Sequence, residues 1–281
     1  MSTSPLNLLK FSTLLLTLAA CGSSGGGGST GGSSGSTSTG GAAAEPYTGF
    51  VIFGLVGANE YDGQAGFYAT IAGGSCPGGT VQGSCCYQSA AAEAAYAKTV
   101  PLADVSAGAL TLQDGARSFG SLPFTAGKGY ASVNSATTAS VTWSPGDTLG
   151  VSATGDASGV ASFSGTVVAP SPLSGVTPAL ATLSTLSRAS DFTLTWTANS
   201  AATVALVILA NAATTSDGTI HCSATGSSGT LTVPTALLTN FAAGDMAVLE
   251  LGASNNVPLS VANASVELTA EATASGSATL Q

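Results

Sequence analysis

The sequence predicts an all-β protein: two antiparallel β-sandwich units that follow an export signal and a disordered Gly/Ser/Thr linker. Three observations predict it. From Phe50 onward, apolar residues recur with a period of two, in short runs separated by turn residues. Only one segment, residues 89–98, is rich enough in Ala to predict a helix. Charged residues make up 7% of the chain while 44% is hydrophobic, against about a quarter charged in an average protein. Polarity therefore comes from Ser, Thr, Asn and Gly, the surface chemistry of exported β-proteins.

The first 20 residues read as an export signal. Lys10 precedes an apolar run from Phe11 to Leu18, and Leu18-Ala19-Ala20-Cys21 follows. A short apolar core after a basic residue, ending in small residues, suits a signal peptidase; it is too short for a span of about 20 residues. These four positions resemble the bacterial lipobox, which implies a lipoprotein signal peptide, diacylglycerol on the Cys21 thiol and three acyl chains after full processing. Two or more chains anchor a protein stably to a lipid bilayer. Gly22 stands where the usual sorting rule places Asp for inner-membrane retention, so the resemblance implies the outer membrane. Residues 22–41 contain only Gly, Ser and Thr. Such a tether has an r.m.s. reach of roughly 25 Å. The acylated Cys and linker thus occupy residues 21–44, with β-sandwich units at 45–170 and 171–281.

Within the first unit, 50–55 and 66–71 read as strands with Asp62-Gly63 as the turn between them. Strands at 109–112, 149–153 and 163–168 follow, with Ser144-Pro145-Gly146-Asp147 as a turn. Residues 171–178 suit an inter-domain crossing. Beyond them, Phe192, Leu194 and Trp196 alternate with Thr193, Thr195 and Thr197, a half-buried strand. Residues 204–209 are apolar on both faces and read as a central strand. Strands at 219–224, 230–233, 247–251 and 259–272 complete a sandwich-like spacing. In the last, Val266, Leu268, Ala270 and Ala272 face one way and Glu267, Thr269 and Glu271 the other. Trp143 and Trp196 lie in similar contexts, an internal echo of two related units.

Several stretches resemble uncharacterised myxobacterial-type lipoproteins. The resemblance is carried by the segment from Pro145 through Gly146-Asp147-Thr148-Leu149 to Ala153, by Phe163 to Pro170, by Ser187-Arg188 and Asp191 to Thr197, and by Val233-Pro234 with Leu237-Leu238. The second half also looks like an immunoglobulin-like or fibronectin-III-like module. These motifs are turns and strands, so the resemblance implies a fold and a location, and no catalytic residues.

The net charge is −9, and the four bases beyond the signal (Lys98, Arg117, Lys128 and Arg188) are scattered. A phosphate backbone needs clustered bases, so nucleic acid is excluded as a partner. The single histidine, His221, stands beside Cys222 in a strand, where the two side chains point to opposite faces. A Cys–His pair is thereby excluded, and no Gly-x-Ser-x-Gly elbow surrounds a plausible nucleophile. Glu60 and Asp62 could share a face, but Asp62-Gly63 is better read as a turn than as half of a carboxylate pair or of a calcium loop. We expect no enzyme, no cofactor and no metal site.

Export leaves Cys76, Cys85, Cys86 and Cys222 to form disulfides in an oxidising compartment. Adjacent Cys85 and Cys86 point apart in a strand and are disfavoured as a pair. Cys76–Cys86 with Cys85–Cys222 is the favoured pairing, the exchange of Cys85 and Cys86 stays open, and a free Cys222 is the third possibility. The expected function is a surface binding or adhesion module for a glycan or protein ligand, with a purely structural envelope protein or a secreted hydrolase as alternatives. Tyr47, Tyr61, Tyr68, Tyr87, Tyr96 and Tyr130 are the rings on which a glycan could stack if they are exposed; otherwise they fill cores.

Overall fold

The computed structural model describes residues 47–56, 60–69, 76–97, 105–135, 138, 141–211 and 216–281. Cys21, the signal and the linker lie outside the described residues. The first strands are β1 (Tyr47–Val56), β2 (Glu60–Ala69), β3 (Thr80–Gln82) and β4 (Cys85–Gln88), followed by helix α1 (Ala90–Ala97). Then come β5 (Leu110–Asp114), β6 (Arg117–Leu122), β7 (Phe124–Thr125), β8 (Gly129–Tyr130), β9 (Val133–Asn134), β10 (Thr148–Ala153) and β11 (Phe163–Val168). The second half holds β12 (Thr185–Leu186), β13 (Phe192–Thr195), β14 (Thr203–Asn211), β15 (Ser216–Ala224) and β16 (Thr230–Val233). A one-turn helix α2 (Thr235–Leu238) precedes the two longest strands, β17 (Met246–Val261) and β18 (Ala264–Leu280).

The protein is all-β, and its backbone is one ten-stranded sheet with smaller sheets laid on it. The order in the large sheet is β3-β4-β15-β14-β17-β18-β1-β2-β9, with β12 paired to the end of β18. Neighbours are antiparallel except for β1 on β18 and β12 on β18, which are parallel. A four-stranded sheet, β11-β10-β5-β6, lies on one half, and the pair β13-β16 lies on the other.

Two hydrophobic cores sit between these layers. The first joins Val51, Phe53 and Phe67 of the large sheet to Leu110, Leu112, Phe119, Leu149, Val151 and Val167 of the four-stranded sheet. Its rings meet edge to face: Phe53 and Trp143 are 5.9 Å apart, and Tyr61 and Trp143 are 4.8 Å apart, the geometry that aromatic quadrupoles prefer. The second core is mostly aliphatic: Val204, Leu206, Ile208 and Ile220 face Leu194, Leu231 and Val233, with Leu237, Leu238 and Phe241 closing one end. Each fully buried side chain of this size contributes about 1.5–3 kcal/mol.

Residues 171–281 supply both cores, so a boundary near residue 170 is crossed twice. The base of the β17–β18 hairpin gives Leu249, Leu251, Ala278 and Leu280 to the second core. Its tip gives Val261, Ala264, Val266, Leu268, Ala270 and Ala272 to the first. In the other direction, β4 pairs with β15 inside the second half. Residues 247–251 and 259–272, read in sequence as separate strands, thus belong to one uninterrupted hairpin.

One turn assignment is corrected. Asp62 and Gly63 are inside β2, opposite Gly54 and Phe53 of β1. Glycine is required there by packing: a Cβ on Gly63 would collide with Leu112 Cδ1 and come within 3.2 Å of Val133 Cγ2. An extended strand cannot wrap a cation, so the calcium-loop comparison falls with the turn. By contrast, Ser144-Pro145-Gly146-Asp147 is a turn: Asp147 N–H donates to Ser144 O at 3.0 Å. Gly146 has φ +92°, which suits glycine at the third position of a type II turn. The expected helix forms as α1, where Ser89 Oγ accepts the Ala92 amide at 3.2 Å and so satisfies an unpaired donor at the helix start.

Candidate functional site

The alternation along the strands decides where polar chemistry accumulates. In β18 the even-numbered residues from Ala264 to Ala272 enter the first core, which puts Glu267, Thr269, Glu271 and Thr273 on the opposite face. Register carries that face across the sheet. Glu271 stands beside Gly54, and Gly54 beside Asp62. Glu250 stands beside Val207, Val207 beside His221, and His221 beside Cys86. The buried polar residues are Gln88, Thr219, His221, Glu250, Thr269, Glu271 and Thr273, and all of them lie on this one face. Helix α1 packs on it at β15.

Buried polar groups are costly unless neutral or hydrogen-bonded, and the electrostatics follow that rule. Burial raises the Asp62 carboxyl above its usual range, although Gln64 Nε2 donates to its Oδ2 at 2.6 Å and the Gly54 amide also favours the anion. Glu250 is pushed up to about 7 by burial, with the Thr273 hydroxyl opposing and the Asp62 charge adding to the shift. Glu267 and Glu93 of α1 are raised by burial as well. His221 moves down to about 4 because its cation would be desolvated. Its Nδ1 has no hydrogen-bond partner among the described residues. On this face burial disfavours the charged forms of Asp62, Glu250, Glu267, Glu93 and His221.

The residues singled out in sequence fall as follows. Cys76 bonds to Cys86 with Cα atoms 6.0 Å apart, and Cys85 bonds to Cys222 with Cα atoms 4.0 Å apart. The structure thus contains the favoured pairing, because Cys85 and Cys222 stand directly opposite in register. Cys222 lies in the second core while His221 faces away from it. Glu60 is exposed two residues from Asp62 on the same face of β2. The tyrosines do not assemble an exposed platform: Tyr47, Tyr61 and Tyr130 pack against the first core and Tyr87 against the second. The Tyr130 hydroxyl donates to Gly108 O and accepts the Ala107 amide. Tyr68 and Tyr96 are close enough to influence each other, and burial raises the Tyr68 hydroxyl.

Among the described residues, no group of three or more His, Cys, Asp or Glu is arranged to hold a metal ion. Likewise, no described helix is long and apolar enough to cross a membrane. Sequence reading placed Glu271 on the right face but did not single out Glu250. The available signal was an acid inside an otherwise apolar strand, Ala247-Val248-Leu249-Glu250-Leu251. Neither a protein-family model nor a curated protein matches the chain.

Proposed function

We propose that the protein is a lipid-tethered envelope protein, acylated at Cys21, that holds a disulfide-stapled β-fold clear of the outer membrane as a non-catalytic binding or adhesion module. The lipobox-like Leu18-Ala19-Ala20-Cys21 followed by a Gly/Ser/Thr tether carries this reading. In the finer architecture we read the two cores as immunoglobulin-like sandwiches that share one sheet. The non-catalytic reading is supported at His221, which is buried and faces Cys86 and Val207. A general base must reach its substrate within hydrogen-bond distance.

Replacement Cys21→Ser tests the tether. It is expected to abolish fatty-acid labelling and to leave an uncleaved or soluble form; normal membrane retention of the variant would overturn the anchor. A broad-specificity protease added to intact cells is expected to remove an outward-facing protein. Binding is tested by retention of cells, peptides or glycans on the immobilised folded part, and absence of retention favours a purely structural envelope role.

A further inference from the structure

The tethering reading treats both disulfides as staples, but their surroundings set them apart. Cys85 and Cys222 are buried in the second core. Cys76 is half-buried, in the turn Cys76-Pro77-Gly78-Gly79 that leads to β3 at the edge of the large sheet. Its partner Cys86 points to the face opposite Cys85, because adjacent strand residues alternate. A sulfur released at Cys86 therefore does not meet the Cys85–Cys222 bond.

Cys86 has a second neighbour. His221 stands directly opposite it in register, on the same face of the sheet. The imidazole is buried, and its Nδ1 has no hydrogen-bond partner among the described residues. A disulfide sulfur has no proton to give, whereas a thiol is both a weak donor and a weak acceptor. Opening the Cys76–Cys86 bond therefore offers the stranded nitrogen a partner, and a buried unpaired polar atom is costly to leave unmade. Sequence reading rejected a Cys–His pair at Cys222; the sheet makes one across the strands, at Cys86.

We propose that Cys76–Cys86 is an exchangeable disulfide, opened by a dithiol that attacks Cys76 Sγ, with Cys86 as the leaving thiol and His221 as its positioning partner. One thiolate of the dithiol bonds to Cys76 Sγ as the bond to Cys86 breaks. The electron pair leaves on Cys86 Sγ, which takes up a proton and pairs with the imidazole. The second thiolate of the dithiol then attacks the first dithiol sulfur, and Cys76 leaves and takes up a proton. The protein disulfide gains two electrons and two protons, and the dithiol loses them as it closes to its own disulfide. The turn does not depend on the sulfurs alone: Gly79 N donates to Cys76 O at 3.1 Å and Gln88 Nε2 to Pro77 O at 3.0 Å. Cys76 thus stays near Cys86, and the oxidised dithiol can close the bond again by the reverse steps.

Dithiothreitol is the probe, applied to the folded, disulfide-intact chain, with open thiols trapped by N-ethylmaleimide and located by fragment-ion mass spectrometry. Cys76 and Cys86 are expected to be labelled roughly tenfold or more faster than Cys85 and Cys222, since access governs exchange. Simultaneous labelling of all four, or Cys85 and Cys222 first, would overturn the proposal. At equilibrium, His221→Leu is expected to need a roughly threefold or higher ratio of reduced to oxidised dithiothreitol for half-opening, and His221→Gln to restore the original ratio. A Leu variant that opens like the unaltered chain, or a Gln variant that fails to restore it, overturns the role of His221. If the Leu variant does not fold, nitrogen NMR of the unaltered chain decides: the His221 ring signals are expected to shift when Cys76–Cys86 opens, and unshifted signals overturn the pairing.

Discussion

The two cores are closed by different means. The first is built around rings, Phe53, Phe67, Phe119, Trp143 and Phe163, and no disulfide enters it. Its closure depends on strands from opposite ends of the chain, β1 lying parallel to β18. The second is aliphatic and contains the Cys85–Cys222 bond, which ties β4 to β15 at directly opposite positions. Trp196, the counterpart of Trp143, is held there by a hydrogen bond from its Nε1 to Gly226 O at 2.9 Å. The difference teaches that one half depends on distant strand pairing for its integrity and the other has a covalent substitute. Both nevertheless share the β17–β18 hairpin, so neither is self-sufficient.

The severest test separates the halves. Residues 45–170 expressed alone lack the six buried residues that the hairpin tip supplies, Val261, Ala264, Val266, Leu268, Ala270 and Ala272. At about 1–3 kcal/mol each, depending on size, their loss approaches or exceeds the whole stability of an ordinary domain. The fragment is expected to show no cooperative thermal transition and little dispersion in its amide spectrum. A sharp transition would mean that the first half closes without the hairpin.

A smaller effect is expected from the staples. Cys85 and Cys222 are 137 residues apart, and Cys76 and Cys86 only 10. Chain-entropy treatment gives about 5 kcal/mol for the long loop and about 3 for the short one, as upper values. The double replacement of Cys85 and Cys222 by Ala is therefore expected to lower the denaturation midpoint more than that of Cys76 and Cys86. It is also expected to expose the β14 and β15 amides to exchange before those of β10. The reverse order would remove the covalent explanation of the second core.

These contrasts were only partly legible in the sequence. Alternation along β13 and into Trp196 just beyond it gave the right faces, with Leu194 and Trp196 buried and Thr193 and Thr195 exposed. The helix at α1 followed from local composition, and the cysteine pairing followed from the opposed directions of adjacent strand residues. What failed was non-local or ambiguous. An Asp-Gly pair has the grammar of a turn, yet Gly63 serves the close approach of Leu112. Parallel pairing of β1 with β18 leaves no local signature, because the partner lies at the other end of the chain. Alternation also placed Glu271 opposite Ala270, but it cannot tell an open face from a covered one, so the closed acid face was invisible.

The finest test concerns how the hairpin tip is locked to the first half. Asn263, in the turn between β17 and β18, accepts the Ala161 amide through Oδ1 at 2.9 Å and donates from Nδ2 to Gly159 O at 2.9 Å. One side chain thus satisfies two backbone groups of the loop between β10 and β11. A hydrogen bond contributes about 1 kcal/mol net, and stranding its partner costs more when the partner is shielded. Asn263→Ala is therefore expected to destabilise the chain by about 1–3 kcal/mol in denaturant titration. Asn263→Asp, which keeps the acceptor and loses the donor, should fall between the two. Because the second core makes no use of Asn263, β14 and β15 should keep their protection from local exchange while the Ala161 amide, which donates to Asn263 Oδ1, loses its own. Equal loss in both halves would show that the hairpin transmits damage from one core to the other, and the contrast between them would then be one of composition alone.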